Sequence, residues 1–194
     1  MPVGDCERAF AQAAAQDGIV LQRARVPWLN QRGHLGLPPE AAGVVELMQS
    51  IFDTLDGDLV AQGAKRLTSL PGDFVHAPTG TFIEIDEAQH FTSYRRLTLL
   101  LYPEDAPLGF SLEHYLSLCE RLAPRSDRYR SDKAAVGFGK RGRGRQRAYH
   151  DALRDLVTPA LGSPAVIRVA APESDGELAY ARGRDALQAL HQAP

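Results

Sequence analysis

Cysteine is nearly absent from this chain: 194 residues hold two, Cys6 and Cys119. Two thiols so far apart make neither a metal-ligand spacing nor a disulfide framework. A disulfide-stapled secreted scaffold is therefore excluded. Long apolar runs are missing too, and nothing approaches the ~20 residues that a membrane helix needs. The opening stretch, MPVGDCERAFAQAAAQDG, carries acids where a secretory leader is basic, and it lacks a long apolar centre. The expectation is a soluble protein of a reducing cytoplasm with no membrane partner. Internal repeats are also absent. What remains is ordinary: 44% hydrophobic and 24% charged residues argue against disorder over most of the length. The length fits one domain, or one domain with appendages.

Net charge is −2, but it is unevenly spread. Residues 121–147 hold ten Lys or Arg and only two acids, Asp127 and Asp132, which leaves the rest of the chain at −10. An acidic body with one basic segment points to a localised polyanion site, or else to a solvated loop.

Hydrophobic spacing predicts helices over 5–16, 40–55, 91–102, 111–122, 145–161 and 177–190. Strands are predicted over 19–28, around 59–61, and over 165–169. Between them lies a hairpin, with 74–76 and 81–86 joined by the turn Ala77-Pro78-Thr79-Gly80. Four glycines in residues 137–144 predict a mobile loop. The expected fold is α/β, with a small central mixed sheet flanked by helices and a helical, basic insertion at 103–144. The expected organisation is an N-terminal helix and extension (1–39), a core (40–170) and a C-terminal helix (171–194).

The hairpin carries the chemistry. Its stretch PGDFVHAPTGTFIEIDEAQHF places Asp73 ahead of an apolar strand that is broken by Glu84 and Asp86. Carboxylates at i and i+2 share one strand face. Like charges buried side by side are costly without neutralisation, and a divalent cation supplies it. Duller readings exist for each. Asp73 after Pro71-Gly72 suits a turn, and Glu84 with Asp86 suits an edge strand with one wet face. His34, His76, His114, His150 and His191 show no metal spacing and are assigned no role.

The segment Asp73-Phe74, followed by Ile83-Glu84-Ile85-Asp86-Glu87-Ala88-Gln89-His90, resembles the PD-(D/E)XK nuclease superfamily. Within it, the likeness is to proteins related to very-short-patch-repair endonucleases. Gln146 to Asp155, Gly162 and Val166-Ile167-Arg168-Val169 resemble the later helix and Arg-bearing strand of those proteins. The likeness covers about residues 40–102 and 145–170. It implies a restriction-endonuclease-like core and a Mg²⁺- or Mn²⁺-dependent endonuclease acting on DNA in repair, restriction or defence, with RNA not excluded. A protein partner or a homodimer is also possible. The alternative is a non-catalytic nucleic-acid-binding or assembly module on the same fold. The Lys usual two residues after the Glu is replaced here by Asp86.

On this reading Asp73 and Glu84 are the first metal ligands. Asp86 binds a second ion or orients a water. Glu46 completes the site from the preceding helix, unless it simply pairs on the surface. His90 acts on the scissile phosphate or as acid or base, unless it is structural. Gln89 and Arg95 are placed near phosphate. Backbone affinity is expected from Arg128, Arg130, Lys133, Lys140, Arg141, Arg143, Arg145 and Arg147. Phe138 and Tyr129 are candidate stacking rings, unless Phe138 folds back onto the body.

Overall fold

The computed structural model describes residues 4–192. Four strands form one sheet in the order β1-β2-β3-β4: β1 (Gln22–Asn30), β2 (Ser69–His76), β3 (Thr81–Glu87) and β4 (Ile167–Ala171). β1, β2 and β3 pair antiparallel, and β4 joins β3 in parallel. The sheet is therefore mixed and the fold α/β, as the sequence predicts. Gly109 adds a single parallel bridge to Ile167.

Among the described residues seven α-helices flank it: α1 (Asp5–Gln16), α2 (Ala42–Thr54), α3 (Leu59–Gly63), α4 (Ser93–Leu99), α5 (Leu112–Ser126), α6 (Arg143–Ala160) and α7 (Gly176–Gln192). In α1, Cys6, Phe10 and Ala14 recur every four residues and form a buried stripe. Gly18, at φ +79°, then releases the chain from the helix.

β3 is buried on both faces, and its period of two divides its side chains. Ile83 and Ile85 enter an apolar cluster with Phe10 of α1 and Ala179 and Leu187 of α7. Phe82 enters the larger cluster with Met48 and Phe52 of α2, Tyr115 of α5, and Tyr149 and Leu153 of α6. Glu84 and Asp86 share Phe82's face, so two carboxylates are held within a packed layer.

Several boundaries differ from the expectation. Residues 59–61 are helical, because the Asp58 side chain accepts the Ala61 N–H and caps α3. β1 runs past Pro27 to Asn30 and pairs with β2, so the N-terminal extension supplies a strand of the central sheet. α5 passes through Pro124 in its last turn, where only one helical bond is lost. The 137–144 glycines do not make a free loop. Ala135 bridges Gly139, Phe138 is buried, and Gly142 is the cap of α6.

Candidate active site

The β2–β3 ladder begins at Phe74 and Ile83, and the two acids sit where it opens. Asp73 Oδ2 accepts the Ile85 N–H at 2.8 Å, and Glu84 Oε1 accepts the Asp73 N–H at 3.3 Å. Each carboxylate takes a backbone donor from the opposite strand, which holds the acids side by side. Burial pushes Glu84 up to about 7; Arg154 opposes this and Asp73 adds to it. Burial also raises Asp73, against the Ile85 hydrogen bond. For both acids the first cause is removal from water, which disfavours the charged form.

Both line a cavity of about 480 Å³. Glu7 of α1 enters the same cavity, and its Oε2 is buried with no hydrogen-bond partner. Gln89 and His90 follow from the end of β3. Facing them, α6 delivers Arg147, His150, Asp151 and Arg154 at helical spacing. Arg154 Nε lies 3.4 Å from Glu84 Oε1, and its Nη2 donates to the Pro71 carbonyl at 2.6 Å. His150 Nε2 is buried without a partner. Burial, with Arg154 and Lys65 nearby, pushes this imidazole down to about 3, so it is neutral.

Asp86 is engaged elsewhere. Arg168 Nη1 donates to its two oxygens at 2.9 and 3.0 Å, and the Tyr115 hydroxyl donates at 3.1 Å. Arg168 Nε also reaches Asp155 at 2.5 Å. Asp155 in turn binds Arg95 at 2.6 Å and accepts from the Tyr102 hydroxyl at 2.8 Å. His90 Nδ1 lies 3.1 Å from Asp86 and 3.0 Å from Asp151. Burial opposes the His90 charge, but Asp151 and Asp86 outweigh it and raise the imidazole above its usual range. Asp151, despite its burial, is held well below the carboxylate range by His90 and Arg168.

Asp86, His90 and Asp151 each offer a ligand atom, all within 4.8 Å of one another, so this group can hold a metal ion. A cation there has to displace the His90 proton and compete with Arg168.

The structure thus brings Asp73, Glu84, Gln89 and His90 to one cavity. Glu46 is not among them. It is exposed on α2, two residues from both Val44 and Met48 and about 200° round the helix from each, so packing of that stripe turns it outward. Arg95 is 1% exposed and spent on Asp155 and Tyr102, out of reach of phosphate. Phe138 packs against Phe52 and Tyr149 rather than facing solvent. Arg145 is tied to Asp56 and to the Phe138 carbonyl. Arg128, Arg130, Lys133, Lys140, Arg141 and Arg143 are exposed, as a polyanion surface requires.

Sequence reasoning missed Glu7, His150 and Arg154. Glu7 looks like any acid in a helix's first turn. The i, i+4 spacing of Arg147, Asp151 and Asp155 on α6 was the one available signal for a functional polar face.

Residues 50–189 match DUF7255, a family of unknown function. The chain belongs to this family. The matched span includes Asp73, Glu84, α6 and Arg168, and leaves Glu7 and β1 outside it. No curated protein and no solved structure matches the chain. No helix among the described residues is long and apolar enough to cross a membrane.

Proposed function

We propose that this chain is a metal-dependent nuclease that hydrolyses phosphodiester bonds of DNA, in repair, restriction or defence. One observation carries the reading: Asp73, Glu84 and the unpartnered Oε2 of Glu7 line one cavity. An all-oxygen donor set of this kind fits Mg²⁺ or Mn²⁺. Asp73 and Glu84 would hold the ion, with Glu7 as a further ligand or as the acceptor for one of its waters. When bound, such an ion neutralises phosphate charge and activates water.

The chain's own side chains supply the rest. Arg147 and Arg154 face the acids and would orient a phosphate. Asp86 and Asp151 favour the protonated form of His90 against its burial, which suits it better to donate a proton to the leaving oxygen than to remove one from water. The likeness of 73–90 to PD-(D/E)XK nucleases and the mixed α/β fold agree with this reading. The test is cleavage of supercoiled and linear DNA with Mg²⁺ or Mn²⁺. Undiminished cutting by the Asp73→Ala and Glu84→Ala proteins would overturn the site.

A second reading, a nucleic-acid-binding or assembly module without catalysis, is favoured by Asp86. The position where Lys is usual holds an acid that serves Arg168. This reading predicts salt-sensitive DNA binding with no cleavage under any divalent metal.

A further inference from the structure

A second cavity, of about 550 Å³, lies beside the first between the start of α4, the end of α5 and the start of α6. Arg147 lines both. Its Nη1 is fixed on the Gln89 carbonyl at 2.9 Å, and its guanidinium lies 5.6 Å from the centre of the Tyr129 ring.

The walls of this second cavity are cationic and poorly compensated. Arg128, Lys140 and Arg141 line it, and their side chains make no hydrogen bond or ion pair among the described residues. The one acid in the wall, Asp127, is turned to the Ser93 N–H at 2.9 Å. The cavity also meets the first turn of α6, which has no side-chain cap and no acid. Arg143 and Gln146 N–H groups there find carbonyls, whereas those of Gly144 and Arg145 find none among the described residues. Unpaired cations and free N–H groups converging on one cavity are an anion site.

We propose that this cavity binds the terminal phosphomonoester of a nucleic-acid strand whose neighbouring phosphodiester lies in the carboxylate cavity. A phosphomonoester carries about −1.5 to −2 charges against −1 for a backbone diester, which matches three cations without a counter-charge. Tyr129 is 42% exposed, with Arg130 at 5.3 Å and Arg147 at 5.6 Å from its ring centre, and a terminal base would stack there in competition with those guanidiniums. The inference rests on the nucleic-acid substrate proposed above and makes the activity end-dependent.

The test is fluorescence anisotropy without divalent metal, using the Asp73→Ala protein and short labelled single strands that end in 5′-phosphate, 3′-phosphate or hydroxyl only. One phosphorylated end is expected to bind about tenfold tighter than the hydroxyl strand. That preference is expected to disappear in an added Lys140→Ala/Arg141→Ala pair, with the melting temperature unchanged. Equal binding of all three strands, or a preference that survives the double substitution, overturns it. Inorganic phosphate is the control for a free-anion site: saturable phosphate binding without any end preference also overturns it. Loss of the nuclease reading is separate, since it shows as absent cleavage while end preference persists.

Discussion

Arg168 donates to both carboxylate oxygens of Asp86, at 2.9 and 3.0 Å, from the strand beside it. β4 lies parallel to β3, and Arg168 stands level with Glu84. The guanidinium then spans from Asp86 to Asp155 and ties the sheet to α6. Breaking a buried pair leaves an uncompensated charge, which costs about 3–5 kcal/mol. Arg168→Ala is therefore expected to lower unfolding free energy by that order in urea titrations. Asp155→Ala, which leaves Arg95 without a carboxylate and Arg168 with only Asp86 and Asp151, should also be severe. A change below about 1 kcal/mol in either would show that this network does not hold the core.

Asp73 and Glu84 should behave in the opposite way. Both carboxyls are raised by burial, so removing either relieves an unfavourable charge. Asp73→Asn and Glu84→Gln are expected to keep or raise the melting temperature while cutting DNA cleavage by about a hundredfold or more. Thermal melting and plasmid nicking on the same preparations separate these variants from the Arg168 class.

Stability should also fall as pH rises above about 6.5. Glu84 shifts from 4.5 to about 7 in the folded protein, so its neutral form favours the folded state. That contribution is fully present below 4.5 and is lost as pH rises through about 7. His90 acts with the same sign over a higher range, since its folded imidazole is raised above 6.5. His150, pushed from 6.5 down to about 3, acts with the opposite sign below 6.5. Metal-free protein should therefore melt at progressively lower temperature from about pH 6.5 upward, and Glu84→Gln should flatten that fall. Mn²⁺ should bind more tightly at the alkaline end, because its ligands must lose their protons. Calorimetry at several pH values reads both effects, and a melting temperature that climbs with pH above 6.5 contradicts the assignment.

Glu7 and Glu46 give a sharp contrast. Glu7 Oε2 is buried and unpartnered in the carboxylate cavity, whereas Glu46 is exposed on α2. Glu7→Gln is expected to weaken Mn²⁺ binding several-fold and slow cleavage, and Glu46→Gln to change neither. Equal effects from the two would remove Glu7 from the site.

By itself the sequence determined the fold class and singled out two of the acids that share a cavity. Alternation through Thr81–Glu87 and the four-residue stripe of α1 are local periodicities, and packing obeyed them. The pair Asp73 and Glu84 was legible because an acid within an apolar strand violates the pattern around it. Tertiary structure decided which other charges are spent and which remain available. Asp86 and Glu84 differ little as letters in a strand, yet Arg168 donates to both oxygens of one, whereas the other has Arg154 at 3.4 Å. Arg95 reads as a surface cation until Asp155, sixty residues away, buries it. Glu7 and Glu46 are both helical acids, and only the docking of α1 against α7 and of α2 against α6 separates them. Charge pairing depends on distances between remote segments, and no local spacing encodes those.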